Sequence, residues 1–182
     1  MSTPDLVKRC QRKDRAAEKA LFLRFAPKVL TICRRYARSD AQAQDYLQEC
    51  FLQIFKQISK FDAQRGEFGG WLHRVATNAI LQQLRRSQRQ PQLLYPENLP
   101  EVEDESLEDL QHVSNEQLMQ AVQQLPDGYR EVLNLYVFEG WSHREIADAL
   151  DITPSASRSQ LARAKQYLKK TLAPIRYEQR AV

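Results

Sequence analysis

Between Pro91 and Asp127 the chain carries nine Asp/Glu and no Lys or Arg, with helix-breaking Pro91, Pro96 and Pro100 in its first ten positions. The helical pattern lapses over its first part, to about Val113, which reads as a linker between two small domains. Residues 1–90 hold 18 Lys/Arg against 8 Asp/Glu, and residues 128–182 hold 9 against 6. Two basic segments therefore flank an acidic one. Basic segments favour a polyanion such as nucleic acid, and DNA would repel the acidic stretch between them. On composition alone the stretch also fits a solvated spacer.

On either side, apolar residues return at three-four spacing, the signature of helices. The fold class is therefore all-α: two small helical domains, residues 1–88 and 114–175, joined by an acidic linker over 89–113. Residues 5–38 are expected to be mostly helical, with Leu21, Phe22, Phe25, Val29, Cys33 and Tyr36 on one side and a break near Pro27. Ser39-Asp40 caps a helix that runs to about Lys60 with Tyr46, Leu47, Cys50, Phe51, Ile54 and Phe55 inward. Early on its polar side stand Asp45, Gln48 and Glu49. Acidic groups there ordinarily complement the helix dipole, but in so basic a segment they also suit docking of a basic protein.

Next comes a loop, Asp62-Ala63-Gln64-Arg65-Gly66, then Gly69-Gly70 and a helix expected from Trp71 to about Arg86. Leu72, Val75, Ala76, Ala79, Ile80 and Leu84 bury one side. Trp71, Arg74, Asn78 and Arg85 fall on another. An aromatic face stacks on any base, amides read base edges and guanidinium groups hold phosphates, so the group suits unpaired nucleic acid. Taken alone, it also fits a surface helix with a core Trp.

In the second domain, Ser114-Asn115-Glu116-Gln117 and Ser142-His143-Arg144-Glu145 fit capping boxes. Tyr129, Val132, Leu133, Tyr136 and Val137 keep helical spacing up to Gly140. A short helix from Ser142 carries Ile146, Ala147 and Leu150. After the turn Asp151-Ile152-Thr153, a longer helix opens on Pro154, where a missing N–H costs nothing. Short helix, three-residue turn and longer helix have the form of a helix-turn-helix. Leu161, Ala164 and Leu168 face inward, leaving Ser155, Arg158, Ser159, Ala162 and Arg163 on the outer face, a set suited to the major groove. Similar hairpins also occur in plain helical bundles.

Other chemistry finds little footing. Cys10, Cys33 and Cys50 are far apart and His73, His112 and His143 isolated, with no metal-ligand spacing. Cys33 and Cys50 sit in apolar stripes and read as buried thiols in a reducing compartment. There is no Gly-rich phosphate loop and no Ser/His or Cys/His pairing, so no catalytic residue, metal or cofactor is expected. No apolar run nears a membrane span and the N-terminus is too polar for a secretory signal, which points to the cytoplasm.

Three stretches together resemble the extracytoplasmic-function group of bacterial sigma factors, over nearly the whole chain outside the linker. Asp45–Phe55 is similar to the family helix that docks on the clamp helices of the RNA polymerase β′ subunit. Phe61–Asn78 is similar to the segment that opens and reads the −10 promoter element. Trp141–Lys165 is similar to the helix-turn-helix that reads the −35 element. The resemblance implies a subunit of RNA polymerase without catalysis of its own, with core polymerase (β′ clamp helices and β subunit) and promoter DNA as partners, and an anti-sigma factor as a further candidate. Asp45, Gln48 and Glu49 would face the polymerase. Gln64, Arg65, Phe68, Trp71, Arg74 and Asn78 would lie at the −10 element, with loop residues 64–70 forming the pocket for a flipped-out base. Ser155, Arg158, Ser159, Ala162 and Arg163 would lie at the −35 duplex, and the acidic linker would follow the basic channel of the polymerase. Three departures stand out: Ala156-Ser157 where Thr-Val is common, Gln160 where a basic residue is frequent, and the Gly69-Gly70 pair. Ser157 falls on the inward stripe, where its hydroxyl is expected to bond a carbonyl one turn earlier. The competing reading, a helix-turn-helix regulator acting on duplex DNA without polymerase, accounts for residues 114–172 but gives the Trp71/Asn78 helix and the linker no use.

Overall fold

The computed structural model describes residues 1–87 and 113–178, and in them every regular element is helical. Backbone contacts divide the chain into two units, Met1–Gln88 and Arg89–Val182. The expected linker falls almost wholly outside the described residues.

In the first unit, α1 (Thr3–Gln11) leads into α2 (Arg15–Tyr36), α3 (Asp40–Gln57) and α4 (Phe68–Ser87). Helices α2, α3 and α4 pack on one another and α1 lies against α2. Leu21, Val29, Cys33, Cys50, Ile54 and Leu72 are buried between them, as the apolar spacing required. The break foreseen near Pro27 falls instead at Arg12–Asp14. Lys13 takes a left-handed φ of 60°, and its N–H donates to the Cys10 carbonyl at 2.8 Å, closing α1. Asp14 then starts α2, its Oδ1 accepting from the N–H groups of Ala16 and Ala17 at 2.9 and 3.1 Å. Pro27 stays inside α2 because it sits on the exposed side, where water can satisfy the carbonyl it leaves unbonded. Its own carbonyl accepts from the Thr31 hydroxyl at 3.0 Å.

The cysteines are buried thiols. Cys33 and Cys50 approach to 3.9 Å between α2 and α3, and all three are free. The hydrogen bond to Cys33, together with burial, pushes the Cys50 thiol far up, and burial raises Cys10.

In the second unit, α5 (Asn115–Gln123), α6 (Asp127–Leu133) and α7 (His143–Leu150) pack around α8 (Pro154–Glu178). Both expected capping boxes form, at Ser114 and Ser142. One expectation fails. After Leu133 the helix widens into a π turn over Asn134–Phe138, with the Glu139 N–H donating to the Asn134 carbonyl five residues back at 3.1 Å. The widened turn rotates the residues beyond Leu133, so Tyr136, Val137 and Phe138 stand exposed while Asn134 and Leu135 are buried. Arg130, of a residue type rarely found inside, is 1% exposed. Its guanidinium donates to the carbonyls of Leu125 (2.8 Å) and Gln123 (3.2 Å) and pairs with Asp127, satisfying carbonyls that the end of α5 leaves open.

Candidate nucleic-acid interfaces

The loop before α4 is built from short-range bonds and one backbone constraint. Asp62 caps a 3-10 turn, Ala63–Arg65, with Oδ1 accepting from the Gln64 N–H at 2.9 Å, and its other oxygen lies 3.5 Å from Arg65 Nε. Gly66 then adopts φ +141° and ψ 179°, a conformation that essentially glycine alone takes. Helix α4 starts at Phe68, three residues earlier than expected, so Gly69 and Gly70 belong to its first turn and not to the loop. What fixes the earlier start is Phe68. It is 7% exposed, its ring set edge-on against Phe25 and Phe61, with both ring centroids at 5.3 Å.

Trp71 leans on this cluster, its centroid 5.5 Å from those of Phe61 and Phe68, and stays half-buried. Its packed side explains the core reading of this residue, and its open side explains the stacking one. Arg74 and Asn78 follow one and two turns on and are exposed, as are Gln64 and Arg65 in the loop. Phe68, expected beside DNA, thus supports the site from beneath, and the other five have exposed surface. Residues 64–70 form a turn, a glycine corner and the head of a helix, and Gln64 and residues 66–69 line one open cavity.

On α3, Asp45 and Gln48 are exposed and Glu49 is half-buried, its Oε1 accepting from Gln53 Nε2 at 2.9 Å. These three border a shallow depression of about 350 Å³ together with Leu52 and Gln83 of α4. Leu52 is 64% exposed and escaped the sequence reading. The available signal was its place off the apolar stripe, among Gln48, Glu49 and Gln53.

In the second unit the helix-turn-helix forms as expected. Asp151 takes the left-handed conformation (φ 55°, ψ 47°) that ends α7, and Thr153 Oγ1 accepts from the Ala156 N–H at 3.0 Å at the head of α8. Ser155 and Arg158 are exposed, Ser159 and Arg163 half-buried, and Ala162 is 8% exposed, so full outward exposure holds for the first two alone. Of the departures in this helix, Ser157 and Gln160 are buried and Ala156 is half-buried. The Ser157 hydroxyl is not bonded to a carbonyl one turn earlier but lies 2.9 Å from Nδ1 of His143, joining α8 to the start of α7. His143 in turn stacks on Tyr136 at 4.7 Å. Gln160 is buried against α6, where a Cβ on Gly128 would come within 2.9 Å of its side-chain oxygen.

Among the described residues no helix is long and apolar enough to cross a membrane, and no group of three His, Cys, Asp or Glu could hold a metal ion.

These two sites correspond in order and position to two known sequence families. The sigma-70 region 2 family matches residues 21–90 and the sigma-70 region 4 family matches residues 115–168. The chain is 30% identical to the RNA polymerase sigma-H factor of Pseudomonas aeruginosa, covering 93% of each protein. It is 29% identical to the ECF RNA polymerase sigma-E factor of Escherichia coli K12, over 93% of this chain and 94% of that one. Its fold is similar to that of the sigma factor RpoE of Bartonella quintana, solved in complex with the anti-sigma factor NepR, with a TM-score of 0.50 at 18% identity over 85% of this chain and 96% of that one. With both regions present in one chain and relatives matched almost end to end, the protein belongs to the extracytoplasmic-function sigma factors of RNA polymerase.

Proposed function

We propose that the first unit binds core polymerase and the −10 element and that the second binds the −35 element. The observation that carries this is the strip of half-buried Trp71 and exposed Arg74 and Asn78 rising from an aromatic cluster, in the same chain as a helix-turn-helix whose second helix presents Ser155 and Arg158. Trp71 is held on one side by Phe61 and Phe68 and offers the other to an unstacked base, with Arg74 for phosphate and Asn78 for a base edge. Extruding a base costs a few kcal/mol, which stacking on a fixed ring can offset. Gln64 and Arg65 flank the same site from the loop.

Arg158 and Ser155 lead the −35 contacts, and Ser159, Ala162 and Arg163 line the helix behind them. Asp45, Gln48 and Glu49 meet the basic face of the β′ clamp helices, with Leu52 adding apolar area at the same depression. The protein performs no chemistry of its own and works in the cytoplasm, where the polymerase is. An anti-sigma factor is a fitting regulator, because a solved relative of the same fold is bound to one.

In-vitro transcription with purified core polymerase on a fragmented genomic library, with and without this protein, tests the reading. Transcripts that appear only with the protein and start downstream of a shared two-element motif are expected. No transcripts, with tight polymerase-independent binding to duplex DNA, would replace the reading with that of an ordinary helix-turn-helix regulator.

A further inference from the structure

The loop before α4 borders an open cavity of about 830 Å³ whose opposite side is α1, a helix to which the resemblance assigned nothing. Thr3, Val7, Lys8 and Gln11 of α1 face the loop residues Asp62, Gln64 and Gly66 across it, and the rings of Phe25, Phe61 and Phe68 lie at its apolar end. The volume is in the range of small-ligand sites, which are mostly apolar with a few placed polar groups.

Helix α1 is fastened to the loop by one side chain. Gln11 Nε2 donates to the carbonyl of Ile58 at 3.1 Å and to that of Phe61 at 3.0 Å. These are main-chain oxygens where α3 and its following 3-10 turn run out, so an amide from a helix distant in sequence sets the entry angle of the loop. Both amide hydrogens are used there, which leaves Gln11 with only its oxygen, an acceptor, for anything in the cavity. Charge around the cavity is mixed. Lys8 on the α1 side lines it together with Asp62 and Glu67 of the loop, while Arg65, paired with Asp62, and Lys28, whose Nζ comes within 3.5 Å of where a Cβ on Gly69 would stand, lie close by.

An aromatic end and polar groups on both walls, continuous through Phe61 and Phe68 with the ring of Trp71, match an unpaired nucleobase, with Lys8 as the lining cation for its phosphate. We propose that α1 forms the second wall of the −10 base site: a single extruded base enters between α1 and the Asp62–Gly66 loop, with Lys8 at the phosphate and Gln11 as a positioning residue that holds the loop open to receive it. The proposal rests on the −10 assignment made above for the loop and α4.

The test uses holoenzyme assembled from core polymerase and the full-length protein. The probe is a fluorescein-labelled non-template single strand bearing the −10 element mapped by transcription, with an abasic site moved through it one position at a time. With wild-type protein, one position is expected to cost about tenfold in Kd when its base is removed, the scale of one stacked base. With Lys8→Ala, on an exposed residue, and with Gln11→Glu, which keeps length but loses the amide donors, binding of the intact strand should fall several-fold. The abasic penalty at that one position should shrink while those at other positions stay as in wild type. Penalties unchanged at every position in both variants would remove α1 from the base site while leaving the −10 reading in place. A flat profile with wild-type protein would overturn the −10 reading and this proposal with it. Equal weakening at all positions would show Gln11 and Lys8 to act on overall fold or charge, which also refutes the proposal.

Discussion

Gly66 and Gly70 lie four residues apart, and alanine should act on them with opposite sign. At Gly66 a Cβ would meet nothing within 4 Å, so sterics with neighbours add no cost. The cost is in the backbone: φ +141° with ψ 179° is a region closed to L-residues, and holding alanine there takes about 1–3 kcal/mol. At Gly70 a Cβ also meets nothing, but the residue is helical, in the first turn of α4, where alanine loses less chain entropy than glycine. Gly70→Ala should therefore stabilise the first unit by at most about 0.5–1 kcal/mol. Urea unfolding followed by the fluorescence of Trp71, in a Trp141→Phe background so that the signal comes from this unit alone, reads both effects. The wild-type midpoint should lie between those of the two variants. A neutral Gly66→Ala, or a Gly70→Ala as damaging as Gly66→Ala, would refute the argument from backbone conformation. Since Gly66 is the corner between the 3-10 turn and α4, its variant should also lose promoter opening out of proportion to its stability, whereas Gly70→Ala should keep it.

Three further predictions bear on the proposed contacts and on the first unit. Arg158→Ala should cost about 1–3 kcal/mol of discrimination between intact and mutated −35 duplexes, the worth of one good base contact, with an unchanged ratio of affinities as the contrary result. Trp71→Ala should leave core-polymerase binding intact and reduce permanganate reactivity of −10 thymines, and undiminished reactivity would remove Trp71 from the opening step. Hydrogen bonds from Ser2 to Asp5, and Arg9 beside Asp14, hold both carboxyls below the ordinary 3.8. A depressed folded-state pKa means stability present above 3.8 and lost as pH falls through the folded values, so the thermal stability these two groups give the first unit should fall away below about pH 4. The Asp14→Asn variant, which retains a capping side chain, should show a shallower acid loss.

Much of this protein was legible in its sequence because the signals were local. Ser114 and Ser142 each sit three residues before the Gln or Glu that completes a capping box, and both boxes form. The inward stripes of α3 and α4 follow from spacing alone, as does that of α2 except at Phe22, which is exposed, and the strip of Trp71, Arg74 and Asn78 follows from the same count. The first break was misplaced for a reason just as local. Pro27 is the stronger breaker in the abstract, at about 3 kcal/mol inside a helix, yet on an exposed face the carbonyl it leaves unbonded is open to water, while Lys13 and Asp14 supply a left-handed stop and a cap together.

What the spacing could not carry was anything decided between elements. A periodic pattern assumes one ladder, and the π turn at Asn134–Phe138 breaks that assumption by one residue, turning Tyr136, Val137 and Phe138 out and Leu135 in. Two contacts around it involve residues whose partners are distant or unexpected. Asn134 Nδ2 donates to the Arg130 carbonyl at 2.8 Å, and Arg130 itself is spent on carbonyls at the end of α5. The exposed Tyr136 then stacks on His143, and His143 meets Ser157. Ser157, by sequence a departure within a recognition helix, is therefore one end of a chain of contacts that sets α8 against α7. The exposed Arg158 is the next residue along the same helix. Any effect of residue 157 on −35 recognition thus acts through the pose of the helix and not through a base, and the same holds for Gln160 beneath Gly128. Under the proposed −35 assignment, sequence departures in α8 act directly only where they face outward, and of those in this helix Ser157 and Gln160 are buried while Ala156 is half-buried.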